Sequence, residues 1–526
     1  MKIRLTESPI LTILVLLLSA STSLFVFLTL PAGKFYGDLL GYIALGKEIS
    51  ANSMLIPSVN TIHYPGSAWV YPPVIPYLAA IFVMVSNGYS LQMLSAFSVL
   101  TVCLTSIPAL KLMRNIFGPE EGSLGGILYA LYFPSLYEET WGGLPQLLAI
   151  LLLITMLAII TSRKDRVNKW DSSAVLLLGF AIPFVHDLTS ILILPSLLIA
   201  ILLFIVLKSG RSRESILSAI SLIGLVTGIS IWYLPRLWWV IDSAFPTSNG
   251  VFSSLSSIVP SSSSTGILHS LYSVQQVSSA AAIIPYGWIL VVAFFMLSVV
   301  VLFKFVDHRQ FPVMAAFLLL PLVLTFAYID DNVLSARFSY FAYLFSFLLV
   351  APMFYRMLKA TLNSFEGRRS KGITSKYTVR IVSACLIAVM VSLSVSGMLY
   401  DAGSHAYYAY SDNRSKFQYS MDAVHFLGQH HSSGTVVAAG TIGFLIMAYD
   451  ALPVIEYQPL NYLTQPVEWN ESYAAYEILH HPDSNISREM IIRYNVSYVI
   501  MSLGEIDLPE YYNPVYSNPY FAIYVV

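Results

Sequence analysis

Long apolar runs separated by short polar links dominate the chain. They fall near residues 9–30, 72–86, 91–113, 122–136, 144–162, 173–186, 188–207, 215–234, 286–305, 312–328, 337–357 and 379–399, twelve runs in all. A helix needs about 20 apolar residues to span hydrocarbon, so the pattern predicts a polytopic α-helical membrane protein with about 11–13 transmembrane helices. Past residue 400 the pattern changes. Helical spacing at 416–430 and 486–494, with short strand-like runs at 434–439, 443–449, 453–457, 497–503 and 521–526, predicts a small water-exposed α/β domain. The chain thus divides into a membrane domain, 1–399, and a C-terminal domain, 400–526.

Charge orients this plan. The chain is 56% hydrophobic and 11% charged, against about 25% charged in soluble domains. Residues 400–526 hold 13 acidic and 4 basic side chains of the 29 and 28 in the chain. The tail is therefore near −9 and the remainder near +8, and so acidic a tail does not attract nucleic acid. Basic clusters at 163–166, 208–213, 304–309 and 359–376 each follow an apolar run and mark cytoplasmic links. Lys2 and Arg4 put the N-terminus in the cytoplasm, ahead of an uncleaved first helix, and the C-terminal domain on the extracytoplasmic side of a cell membrane. An inside start and an outside end require an odd number of crossings, whereas twelve runs are present. The conflict lies in 72–122, where Lys111 and Arg114 also favour the inside. Cys103 and Cys385 both lie in apolar runs, so the tail has no disulfide. Its four Asn-x-Ser sequons, at Asn413, Asn470, Asn485 and Asn495, are compatible with export.

Chemistry-bearing residues gather in the predicted outer links. The first, 31–71, has Asp38 at the head of a run, 38–49, whose apolar spacing predicts a helix lying in the interface with Glu48 on its polar face. His63 follows, then Tyr64-Pro65-Gly66, and Tyr71-Pro72-Pro73 opens the next run. Glu138 and Glu139 stand beside Trp141, either as a site for a divalent cation or acceptor hydroxyl or as a hydrated loop with an aromatic anchor. His186-Asp187 is an ionisable pair between two apolar runs, a functional site or a satisfied turn. Pro235-Arg236-Leu237-Trp238-Trp239 forms a basic aromatic corner before a serine-rich link, 250–265, that reads as a linker or a lid. Arg337 enters the outer end of an apolar helix, where a guanidinium needs an anionic partner. Asp330 or Asp331 would serve, as would a bound phosphate.

An acid just outside the first helix, an interfacial helix and the Tyr-Pro-Pro entry to the second run resemble the GT-C superfamily of membrane glycosyltransferases. Protein O-mannosyltransferases, aminoarabinose lipid A transferases and oligosaccharyltransferase catalytic subunits belong to it. The resemblance spans the architecture of the chain on short motifs. It implies transfer of a sugar from a polyprenyl (dolichyl-type) phosphate donor to a protein or lipid acceptor at the outer face. Asp38 would be the base or a metal ligand, and Arg337 with Arg236 would hold the carrier phosphate. Glu138, Glu139, His186, Asp187, His63 and Tyr71 would line the cleft, with Mg or Mn as a possible cofactor. The tail also resembles the outer domain of oligosaccharyltransferases, where a Trp-Trp-Asp-Tyr-Gly motif reads the acceptor. Ala439-Gly440-Thr441-Ile442-Gly443 stands there instead, which argues against N-glycan transfer to asparagine and for a monosaccharide transferase. No phosphate-binding Walker loop, His-Glu-x-x-His motif or Cys/His metal pattern is present. The alternative is a non-enzymatic transporter or envelope scaffold. A transporter would place its ionisable residues near mid-bilayer, whereas here they cluster at the outer ends.

Overall fold

The computed structural model describes residues 9–29, 37–57, 71–86, 89–130, 143–164, 166–207, 209, 212–234, 287–327, 332–353, 355–356, 414–431, 433–439, 441–450, 452–457, 474–502 and 514–526. The membrane part is built of α1 (Pro9–Thr29), α2 (Gly37–Ala51), α3 (Val74–Val85), α4 (Ser90–Phe117), α5 (Pro119–Tyr129), α6 (Leu144–Ile160), α7 (Lys169–Ala181), α8 (Asp187–Val206), α9 (Arg213–Trp232), α10 (Gly287–Phe305), α11 (Phe311–Ala327) and α12 (Asn332–Val350). Among the described residues α4, α8 and α9 are each long and apolar enough to cross a membrane by length and composition, and shorter apolar helices accompany them. Ile13, Leu17, Leu177, Ile191, Leu202 and Phe303 are exposed on their helices. So many large apolar side chains facing outward suit hydrocarbon and not water. Hydroxyls inside the bundle bond back to their own helix: Ser95, Ser98, Thr101 and Thr105 each donate to the carbonyl four residues earlier. No polar atom of these four then needs water.

Charged groups tie one end of the bundle together. Arg213 is 4% exposed. It donates to the carbonyls of Ile159, Ile160 and Ser162, each at 3.0 Å, and to the Asp171 carboxylate at 2.8 Å. Arg163 donates to the carbonyls of Asn115 and Ile116, and Gln310 to those of Asn115 and Thr161. Tyr355 and Arg356 meet Glu120 and Glu121. These contacts bring the ends of α4, α6 and α12 together with the starts of α5, α7, α9 and α11. The starts of α4, α6, α8 and α12 therefore lie at the opposite end, with α2 and α3.

Helix α3, counted among the twelve apolar runs, has 12 residues. At about 1.5 Å per residue it spans roughly 18 Å, short of a hydrocarbon layer of about 30 Å. It packs closely on α2, where a Cβ added at Gly46 would lie 2.7 Å from the Ala80 nitrogen. The interfacial reading of α2 needs correction. Leu39, Leu40, Ile43, Leu45 and Ile49 are buried, and Glu48, expected on a polar face, is itself only 3% exposed. A second domain covers that face.

That domain contains α13 (Arg414–His430), β1 (Thr435–Ala439), α14 (Thr441–Asp450), β2 (Val454–Tyr457), α15 (Asn485–Arg493), β3 (Val496–Ser502), β4 (Pro514–Ser517) and β5 (Phe521–Val525). The sheet order is β2-β1-β3-β5-β4. β1 is parallel to β2 and β3, and β5 is antiparallel to β3 and β4. The register pairs Val437 with Ile455 and with Val499, and Ile500 with Ile523. Strands expected at 434–439, 453–457, 497–503 and 521–526 are present, as are both helices. The run at 443–449 is helix α14, not a strand. Gly-Phe-Leu-Ile-Met-Ala-Tyr is apolar at consecutive positions, so period does not discriminate, and its burial on several sides suits a core helix. One sheet face and α14 share a hydrophobic core with α2: Val436, Ile446 and Ile523 belong to one cluster with Leu39, Ile43 and Leu94. The expected boundary at 400 and the serine-rich stretch 250–265 lie outside the described residues.

Candidate functional site

A cleft of about 130 Å³ opens at the end of the bundle away from the charged ties. Tyr42 of α2, Tyr71, Pro72 and Ile75 at the entry to α3, Gly143, Pro145 and Gln146 at the start of α6, and Val185, His186 and Asp187 at the start of α8 line it. Three links from separate parts of the chain converge there. Of the residues expected from the sequence, the cleft brings together Tyr71, His186 and Asp187. Asp38 is four residues before Tyr42 on α2, one turn along the same face. Position 337 is five residues into α12, about 8 Å from its start, at the cleft's end of the bundle. The side chains of Asp38 and Arg337, and all of His63, Glu138, Glu139 and Arg236, lie outside the described residues.

His186 is the N-cap of α8. The Thr189 backbone N–H donates to its Nδ1 at 3.2 Å, and the Thr189 hydroxyl oxygen lies 2.7 Å from the same nitrogen. A backbone N–H can only donate, so Nδ1 accepts and the ring proton of neutral His186 resides on Nε2. Asp187 receives the Leu188 N–H on Oδ1 at 2.7 Å. Its side chain is 47% exposed against 14% for His186, and Nε2 and Oδ1 are 3.9 Å apart. Sequence reasoning missed Tyr42 and Gln146. Gln146 was findable, since a lone amide opening the apolar run of α6 and only 1% exposed marks a polar task inside a membrane helix. Tyr42 carried a weaker signal, its one-turn spacing from Asp38.

Behind the cleft, Lys47 of α2 donates to the Tyr449 carbonyl of α14 at 2.8 Å. Burial lowers the pKa of Lys47, opposed by the neighbouring Asp450 charge. Burial raises that of Asp450, opposed by His425 and Lys47, and burial also raises that of Tyr449. As for a divalent cation, no three His, Cys, Asp or Glu side chains group together among the described residues. His186 and Asp187 alone do not make a metal site, and the Asp38 side chain, Glu138 and Glu139 lie outside the described residues.

Residues 70–239, about a third of the chain, match the family described as dolichyl-phosphate-mannose-protein mannosyltransferase. That stretch includes every cleft residue except Tyr42. The search of curated proteins finds no match. Among solved structures, the oligosaccharyltransferase of Archaeoglobus fulgidus tethered to an acceptor peptide matches with a TM-score of 0.61 and 14% identity, over 93% of this chain and 69% of its own. The AglB of the same organism, in complex with an inhibitory peptide and a dolichol-phosphate, gives 0.60 and 15% over the same shares. The apo ArnT of Cupriavidus metallidurans gives 0.56 and 11% over 97% of both chains. The chain has the GT-C glycosyltransferase fold. The likeness to these structures is one of fold, and the family match covers residues 70–239.

Proposed function

We propose that this GT-C protein moves a sugar from a polyprenyl (dolichyl-type) phosphate donor to a protein or lipid acceptor at the outer face of the membrane. The observation that carries the reading is the cleft. Residues of the first outer link and the starts of α6 and α8 meet in one polar and aromatic hollow at the membrane's edge, where a lipid-anchored substrate would present its head group. A dolichol-phosphate bound to the similar AglB, and the donor named by the matching family, support a lipid carrier. The acceptor peptide on its relative supports an acceptor arriving from the aqueous side.

In this reading Asp38 takes the proton of the acceptor hydroxyl as it attacks the anomeric carbon, and the carrier phosphate leaves. Arg337, with Arg236, holds that phosphate through its planar donor fork. Glu138, Glu139, His63 and Tyr71 complete the walls. The N-terminus and the charged ties face the cytoplasm, and the cleft and sheet domain face outward. α5 has 11 residues, but it starts at the charged ties and α6 starts at the opposite end, so the chain crosses between them; with α3 lying at the surface, the crossings are α1, α4 to α12 and the run at 379–399. That is eleven, an odd number, which removes the parity conflict.

Mass spectrometry of lipids extracted from the purified protein tests this reading. A polyprenyl-phosphate sugar should co-purify with wild type and be depleted in Arg337→Ala. Equal lipid content in both would overturn the assignment of Arg337, and a transported solute with no carrier lipid would favour a transporter.

A further inference from the structure

We propose that α3 lies within the outer leaflet of the membrane, where phospholipid acyl chains cover Val74, Tyr77, Leu78, Ile81, Met84 and Val85. The in-plane position that the sequence assigned to α2 thus belongs to the next helix. Nothing in this depends on what the cleft binds.

Helix α3 carries no charged side chain, and its buried residues are Ile75, Pro76, Ala79 and Ala80. Ala79 and Ala80 meet α2 at Gly46. At about 100° per residue, positions 74, 77, 78, 81, 84 and 85 fall on one arc of about 120° on the other side. The first three are half-exposed and the last three exposed. An apolar arc running the whole length of a helix suits hydrocarbon and not water.

Helix α4 sets the depth. Its exposed positions after the first turn begins are Gln92, Ala96, Leu100, Leu104 and Lys111. The ammonium of Lys111, facing outward, marks the inner edge of the hydrocarbon. A span of about 20 residues counted back from Lys111 ends at Leu91, beside Gln92, and every exposed position between Gln92 and Lys111 is apolar. Tyr89 is 65% exposed and then stands at head-group level, where tyrosine is favoured. The Phe82 ring of α3 meets the Phe97 ring of α4 edge-on, with centroids 6.5 Å apart. Phe97 lies one and two-thirds turns inside Leu91, about 9 Å. Helices that lie in the plane of a membrane bury their apolar face to about 5–10 Å, so this contact holds α3 at that depth. Pro72 and Ile75, at the start of α3, line the cleft. A helix embedded in this way opens the cleft sideways to the leaflet.

Depth-dependent quenching in the full-length protein, reconstituted in phosphatidylcholine nanodiscs, tests this. Ile81→Cys, Met84→Cys and Val85→Cys are made singly in a background carrying Cys103→Ala and Cys385→Ala, and each is labelled with an environment-sensitive fluorophore. All three positions are exposed, so folding tolerates the label, and three separate readings guard against the failure of one variant. Leu100→Cys, near the middle of the α4 span, is the deep control, and Ile492→Cys, 80% exposed on α15, is the aqueous one. The quenchers are phosphatidylcholine with a doxyl group near the head group, phosphatidylcholine with a doxyl group near the chain end, and iodide in the water. The α3 sites should lose most fluorescence to the shallow lipid quencher, Leu100→Cys to the deep one and Ile492→Cys to iodide. Loss to iodide alone at the α3 sites would lift the helix out of the leaflet and overturn the proposal. Loss mainly to the deep quencher would do the same by sending α3 into the bilayer centre. Protection from all three quenchers would put protein over the arc, a second copy or another part of this chain, and would also overturn it. So would disagreement among the three sites, because they share one arc.

Discussion

Arg213 shows how a cation is kept inside a membrane bundle. Its guanidinium meets three carbonyl oxygens and one carboxylate, replacing the water that burial removes. The sequence marked the 208–213 cluster only as cytoplasmic, because positive charge at a helix end reports sidedness and says nothing about burial. Removing Arg213 would leave Asp171 without its closest cation and three carbonyls short of a donor. Arg213→Ala should therefore cost about 3–5 kcal/mol, visible as a large drop in the melting temperature of the purified protein, and a melt within a degree of wild type would contradict this account. For Arg337 we propose a different task. Position 337 stands at the opposite end of the bundle, and the proposed partner of its guanidinium is the carrier phosphate. Arg337→Ala should weaken carrier-lipid binding. Arg337→Lys should restore it only in part, because a point charge replaces a two-pronged donor. Equal affinity in the alanine variant and wild type, by equilibrium binding, would exclude that role.

The element that links the two domains is α2. The spacing of Leu39, Tyr42, Ile43 and Ile49 made a helix legible, but an amphipathic period cannot say what covers the other face. That information resides in α14, whose Gly-Phe-Leu-Ile-Met-Ala-Tyr run lacks a period and reads as a strand. The bond from Lys47 to the Tyr449 carbonyl, beside the Asp450 charge, joins residues about 400 positions apart and has no local signal. It has a pH signature. Desolvation raises the pKa of Asp450 in the folded protein, so the stability it contributes is fully present below its ordinary value of about 3.9 and is lost as pH rises through the elevated value. Desolvation lowers that of Lys47. Its contribution is present above about 10.4 and is lost as pH falls through the lowered value. The opposite charges of the two groups offset part of each other's cost of burial. Acidification from about pH 7 toward 4 should slow hydrogen exchange in α2 of wild type relative to Asp450→Asn. Identical pH dependence in the two proteins would remove Asp450 from this contact.

At the scale of the whole molecule, the sheet domain rests on α2 and α3 at the end of the bundle opposite Arg213. The polytopic character and the existence of the α/β domain were legible because both rest on periodicity summed over long stretches. The cleft was legible only in part: His186-Asp187 and Tyr71 stood out as polar or aromatic punctuation between apolar runs, whereas their convergence depends on packing among α3, α6 and α8. The proposed sidedness makes a direct prediction. Cysteine-labelling scans should place 31–70, 235–285 and 400–526 on the non-cytoplasmic side and Lys164 and Arg309 on the other. Labelling of the tail from the cytoplasm would undo the orientation and the argument for a lipid-linked donor.

We propose transfer from a lipid-linked sugar with Asp38 acting on the acceptor. Purified wild type and Asp38→Asn, assayed for sugar transfer from a panel of dolichyl-phosphate monosaccharides, test it most directly. Wild type should turn over, and the variant should fold and bind donor normally but transfer about 10²–10⁴-fold more slowly, the usual worth of general-base assistance. Transfer by Asp38→Asn at the wild-type rate would contradict it.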